Sequence, residues 1–120
     1  MSHFTVENLQ KEQLREAWPV VRTSGFEANV DWWVTDATEL IERGGGVLAA
    51  RALDGGIHGV ATYAVADKLS LEKVLAVEIL IAFELNRSAP VRRTLCEALE
   101  QVAAALNCTG VALSLSDKAA

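Results

Sequence analysis

The ten residues from Val74 to Phe83, VLAVEILIAF, carry a single charge, Glu78. Both alternating faces of the run are otherwise aliphatic or aromatic, the pattern of a strand covered on both sides. The run is far too short to cross a bilayer as a helix, which takes about 20 apolar residues. A strand buried on both faces sits in the middle of a sheet, with other elements packed above and below it. The 120-residue chain therefore has to supply strands on each side and helices for the layers. One domain, residues 1–120, suffices, because a chain of this length buries roughly two-thirds of the surface it exposes when unfolded.

The rest of the chain supplies those elements. Phe4 to Asn8 predicts a short strand with Phe4 and Val6 on one face. A helix is expected from Lys11 to Trp18, with Leu14, Ala17 and Trp18 inward and Pro19 either ending it or kinking it so that it continues over Val20 to Arg22. A second helix is expected over Val30 to Arg43, with Trp33, Ala37, Leu40 and Ile41 as its apolar stripe. Within it, Asp36 followed by Glu39 has the form of a capping box and suggests a break near Thr35. After three glycines, Val47 to Leu53 and Ile57 to Val65 read as two strands joined through Asp54-Gly55-Gly56, a hairpin turn. Beyond the buried run, Val91, Leu95, Leu99, Val102 and Leu106 recur at helical spacing and define a helix from Pro90 to Leu106. Val111 to Leu115 is a last short strand. The order is β-α-α-β-β-β-α-β. Its final strand–helix–strand unit demands a parallel pair, so the fold class is α+β with a mixed, mostly antiparallel sheet flanked by helices.

Sixteen acidic residues stand against eleven basic ones, a net charge of −5 that argues against broad binding of nucleic acid. The N-terminal MSHFTVENLQ lacks the basic-then-apolar pattern of a signal peptide, and no membrane segment is expected. A cytoplasmic protein is the simplest reading. Cys96 and Cys108 fit no zinc or redox spacing, and His3 and His58 have no ligand partners nearby in sequence, so no metal site is expected. Of the adjacent Trp32 and Trp33, a helix exposes one when it buries the other, and Trp18 is expected in the core.

Strand alternation places Glu78 on one face with Val74, Ala76, Leu80 and Ala82. A carboxylate there is paired, or at the mouth of a cleft, or held with a raised pKa by desolvation. The paired alternative points to Arg51 on the hairpin. A second charged feature follows. Arg87, Arg92 and Arg93 put three of the eleven basic residues within seven positions at the start of the last helix. A helix N-terminus with arginines around it attracts anions. The plainer reading is a solvated face behind Pro90, a good first-turn residue.

This order of elements, with a hairpin feeding a buried strand, an arginine-bearing loop and a long helix, resembles the GNAT superfamily of acyl-CoA-dependent N-acetyltransferases. The detailed match runs from Val47 to Leu115. In that family a loop of the form Arg/Gln-x-x-Gly-x-Gly/Ala holds the pyrophosphate of acyl-CoA. The aligned segment here is Arg87-Ser88-Ala89-Pro90-Val91-Arg92, with Pro90 and Arg92 where the family has glycines. The resemblance implies that Arg87, Ser88, Ala89, Val91, Arg92 and Arg93 bind the pyrophosphate. It implies that the strand at Ile79, Ile81 and Phe83 orients the acyl carbonyl and pantetheine arm of acetyl-CoA. It also implies that Glu78 deprotonates an amine acceptor, either a small molecule or a protein.

The family usually continues past its fifth strand into a further helix, which carries a tyrosine general acid, and two more strands. This chain ends at Ala120, and its one tyrosine, Tyr63, lies in the hairpin, as core or cleft lining. An apolar edge strand invites pairing, so a homodimer covering Val111 to Leu115 is expected. Two functions remain open from sequence. One is transfer of an acetyl group from acetyl-CoA to an amine. The other is a non-catalytic GNAT-like module that senses a ligand or binds a protein.

Overall fold

A computed structural model describes residues 4–24, 29–67, 72–83 and 91–113. Five strands form one sheet in the order β1-β2-β3-β4-β5: β1 is Phe4–Asn8, β2 Gly46–Ala52, β3 Ile57–Asp67, β4 Lys73–Ala82 and β5 Gly110–Leu113. All neighbours are antiparallel except β4 and β5, which run parallel from Val74↔Gly110 to Val77↔Leu113. The mixed sheet and the parallel last pair are as the sequence predicts, and the strand–helix–strand unit closes through α3, Val91–Ala105.

Helices cover both faces. On one face a 3-10 helix, Lys11–Ala17, runs into α1, Trp18–Val21, and α2, Val30–Glu42, follows. Leu14, Ala17, Val21, Trp33 and Ala37 meet Val47, Ala49, Val60 and Ile79 of the sheet there. On the other face Val91, Leu95, Leu99 and Ala103 of α3 meet Leu48, Ala50, Ala61, Tyr63, Leu75, Val77 and Leu80. β2 and β4 thus bury residues of both parities, which is why their sequences lack a clean alternation.

The first helical region departs from expectation. It is 3-10 rather than α over Lys11–Ala17; of the two outcomes expected at Pro19, the helix does not end, and the proline stands inside the opening turn of α1. A proline needs no hydrogen bond from its nitrogen in a first turn, so the chain continues through it. No break occurs at Thr35: α2 runs unbroken from its cap at Asn29, whose side chain accepts a hydrogen bond from the Trp32 amide at 2.9 Å. Trp33 is fully buried and its indole N–H donates to Leu14 O at 2.7 Å, while Trp32 is exposed. Trp18 is half-buried against the same core.

α2 ends tightly against the sheet. The amides of Arg43 and Gly45 both donate to Leu40 O. Gly45 lies so close to β3 that a Cβ there would collide with Tyr63 O and stand 3.1 Å from Leu40 Cδ1. That contact sets the last turn of α2 beside the second half of β3. Cys96 and Cys108 are half-buried free thiols. Among the described residues, no helix is long and apolar enough to cross a membrane.

Candidate active site

Between β3 and β4 the register slips by one residue. Tyr63 pairs with Val77 and Ala61 with Leu80, so Thr62 alone stands opposite both Glu78 and Ile79. This is a β-bulge, and it turns two consecutive side chains to the same face. Leu75 and Val77 before the bulge, and Leu80 and Ala82 after it, face α3. The shared face expected from plain alternation is therefore corrected. Glu78 stands with Val74, Ala76 and Ile79, on the α2 side, and not with Leu80 or Ala82.

The bulge frees the Ile79 amide from the ladder, and the Thr62 hydroxyl accepts its hydrogen bond at 3.2 Å. Thr62 is the one buried polar residue among those described. A threonine suits this site because its methyl group fills the core while its oxygen satisfies the displaced amide. Nothing in the apolar run announced that requirement.

Glu78 is exposed, so the burial that would desolvate it is absent. Nor does it pair with Arg51. That guanidinium bonds Glu7 at 2.7 Å, Glu16 at 3.2 Å and the Gly55 carbonyl at 2.7 Å, tying the edge strand β1 and the 3-10 helix to the hairpin. These bonds, those to Glu7 first, hold its pKa above the ordinary value. The third expectation, a carboxylate at a cleft, matches the structure. Glu78 lines a cavity of 260 Å³ together with Leu40 and Arg43 from the end of α2, Thr62 at the bulge, and Ala64, Ala66 and Ala76. Ala64 and Ala76 are direct cross-strand partners, and two methyl groups where larger side chains would meet leave the space open.

The predicted binding residues fall in three groups. Arg87, Ser88 and Ala89 lie outside the described residues, as does Pro90. Val91 is fully buried, its side chain seated on Gly59 of β3, while Arg92 and Arg93 are exposed on the first turn of α3. On β4, the Ile79 amide is engaged by Thr62 and the Phe83 amide by His58 O at 2.8 Å. Antiparallel pairs alternate, so the Phe83–His58 bond implies that Ile81 also bonds toward β3. Leu80 and Ala82 then turn their backbone groups to the β5 side. The described pairing of β4 with β5 stops at Val77↔Leu113, and β4 runs on to Ala82.

Tyr63 is core. Its ring packs over Gly46 and its hydroxyl donates to Asn8 Oδ1 at 2.9 Å. A larger cavity of 470 Å³ lies on the opposite face, between Val6 and Leu48 of the sheet and Thr94, Glu97 and Gln101 of α3. Among the described residues, no side chain of the expected site lines it.

No protein-family model and no curated sequence matches this chain. Solved structures do. A GNAT family acetyltransferase from Staphylococcus aureus superposes with a TM-score of 0.79 at 13% identity, covering 99% of this chain and 90% of that one. An aminoglycoside N-acetyltransferase, AAC(6')-Iy in complex with CoA, gives a TM-score of 0.79 at 18% identity, over 98% of this chain and 80% of that one. A ribosomal-protein-alanine N-acetyltransferase from Brucella melitensis gives 0.77 at 15% identity, over 95% and 82%. The chain has the fold of the GNAT acetyltransferases.

Proposed function

We propose that the protein binds acyl-CoA and transfers its acetyl group to an amine. The observation that carries this reading is Glu78: beside the bulge in β4, its carboxylate lines a cavity at the end of α2. In this reading the thioester lies along the β5 side of β4, where the backbone groups of Leu80 and Ala82 orient the pantetheine arm. Arg92 and Arg93, on the first turn of α3, meet the pyrophosphate, with the helix N-terminus adding its own attraction for anions. The Glu78 carboxylate accepts a proton from the acceptor amine. The amine nitrogen then attacks the thioester carbonyl carbon, a C–N bond forms, the C–S bond breaks, and CoA leaves as a thiolate that takes up a proton.

Isothermal titration with acetyl-CoA and with free CoA tests the binding, and Glu78→Gln tests the base. Micromolar binding is expected for both ligands in both proteins, with turnover lost only in the variant. Unchanged turnover in Glu78→Gln overturns the assignment of the base. An absence of CoA binding at millimolar concentration overturns the whole reading, and leaves a non-catalytic module of the same fold.

A further inference from the structure

Arg43 and Glu78 carry opposite charges on the wall of one cavity, and among the described residues neither forms an ion pair. Other cations nearby do close on carboxylates. Lys11 takes Glu42, the residue next to Arg43, at 3.0 Å, Arg15 takes Asp31, and Arg51 takes two partners. The cavity thus holds a cation and an anion that no salt bridge joins.

We infer that the acceptor is a small zwitterion, an amino acid whose amine meets Glu78 and whose carboxylate meets Arg43. The chemistry at the amine rests on the transferase reading above, but the binding of the zwitterion does not. A guanidinium presents two parallel N–H donors that match a carboxylate, and it stays charged at any working pH. The size of the space points the same way. At 260 Å³ it falls below the roughly 300–1,000 Å³ of pockets that enclose drug-sized ligands, and its floor is alanine. A polypeptide N-terminus brings an amine without a nearby carboxylate, and would leave Arg43 unanswered.

The reaction itself then favours release. The amine nitrogen bonds the acyl carbon, its proton passes to Glu78, and the product is an N-acyl amino acid with CoA thiol. The substrate's positive end has become a neutral amide, so the product loses its attraction for Glu78 and keeps only its carboxylate's contact with Arg43.

The test compares glycine, β-alanine and 4-aminobutyrate with methylamine, ethylamine and propylamine, the same chains without the carboxylate, all with acetyl-CoA. At one chain length or more, kcat/KM is expected to favour the amino acid at least about tenfold, or ~1.4 kcal/mol. Arg43→Gln should bring that ratio toward one through KM, and Arg43→Lys should restore part of it. Equal use of amines and amino acids, or a preference that survives Arg43→Gln, overturns the inference and leaves the transferase reading standing. Amide NMR shifts on adding the same amino acids without CoA give an independent reading. Perturbation at Ala64, Ala66 and Ala76 that disappears in Arg43→Gln, without any transfer, upholds the zwitterion site and overturns the transferase reading. An absence of perturbation together with an absence of preference overturns the inference outright.

Discussion

Gly59 on β3 and Val91 at the start of α3 touch through the space a side chain would fill. A Cβ on Gly59 would stand 2.6 Å from Val91 Cγ1 and 2.8 Å from Leu95 Cδ1. The helix N-terminus is thereby pressed onto the sheet, and Arg92 and Arg93 are carried at a fixed height above it. Gly59→Ala must lift that turn or distort the strand. Overpacking of this kind costs about 1–3 kcal/mol. Thermal unfolding should show a midpoint several degrees lower, and acetyl-CoA titration a weaker affinity. A variant with an unchanged melting curve would show that the seat yields without cost.

Tyr63 gives the fold an alkaline limit. Burial raises its phenol pKa above the ordinary 10.0, and the hydrogen bond to Asn8 offsets this only in part. The unfolded chain then releases the proton at lower pH than the folded one. The contribution is intact below pH 10.0 and declines as pH rises toward the folded value. Denaturant titrations at neutral pH and on either side of that value should show stability falling above it. Tyr63→Phe should lessen the alkaline slope and lose about 1 kcal/mol at neutral pH with the hydrogen bond to Asn8. A variant with the wild-type slope would place the alkaline loss elsewhere.

We propose that the edge of β5 pairs with a second copy. β5 has one neighbour among the described residues, and Leu113 on it is 53% exposed. A strand edge of this kind is a template for another strand. Light scattering on a sizing column at micromolar concentration should report a dimer, and Leu113→Lys should return it toward monomer. A clean monomer in the wild type removes the proposal.

Much of the frame is legible in the residues. Asp54-Gly55-Gly56 marks the hairpin, the spacing from Val91 to Leu106 marks α3, and the apolar run marks β4 as central. What escapes is whatever depends on a partner strand. The bulge at Glu78 and Ile79 exists only relative to Thr62, and a run apolar on both faces has no period whose slip would show. Arg51 bonds residues 44 and 35 positions away, beyond any local pattern. The cavity escapes for a related reason, since Ala64 and Ala76 are small only in a way that matters once they are opposite each other.

Among the described strands, spatial order equals chain order, so none lies between two strands that precede it in the chain. Each described strand after the first lies beside its predecessor in the chain, so one of its neighbours always precedes it in synthesis. For the cavity this fixes a sequence of arrivals. The last turn of α2, with Arg43, comes first and the alanines of β3 next. β4 follows with Ala76 and Glu78, so the carboxylate is the last of the cavity's lining residues to be synthesised.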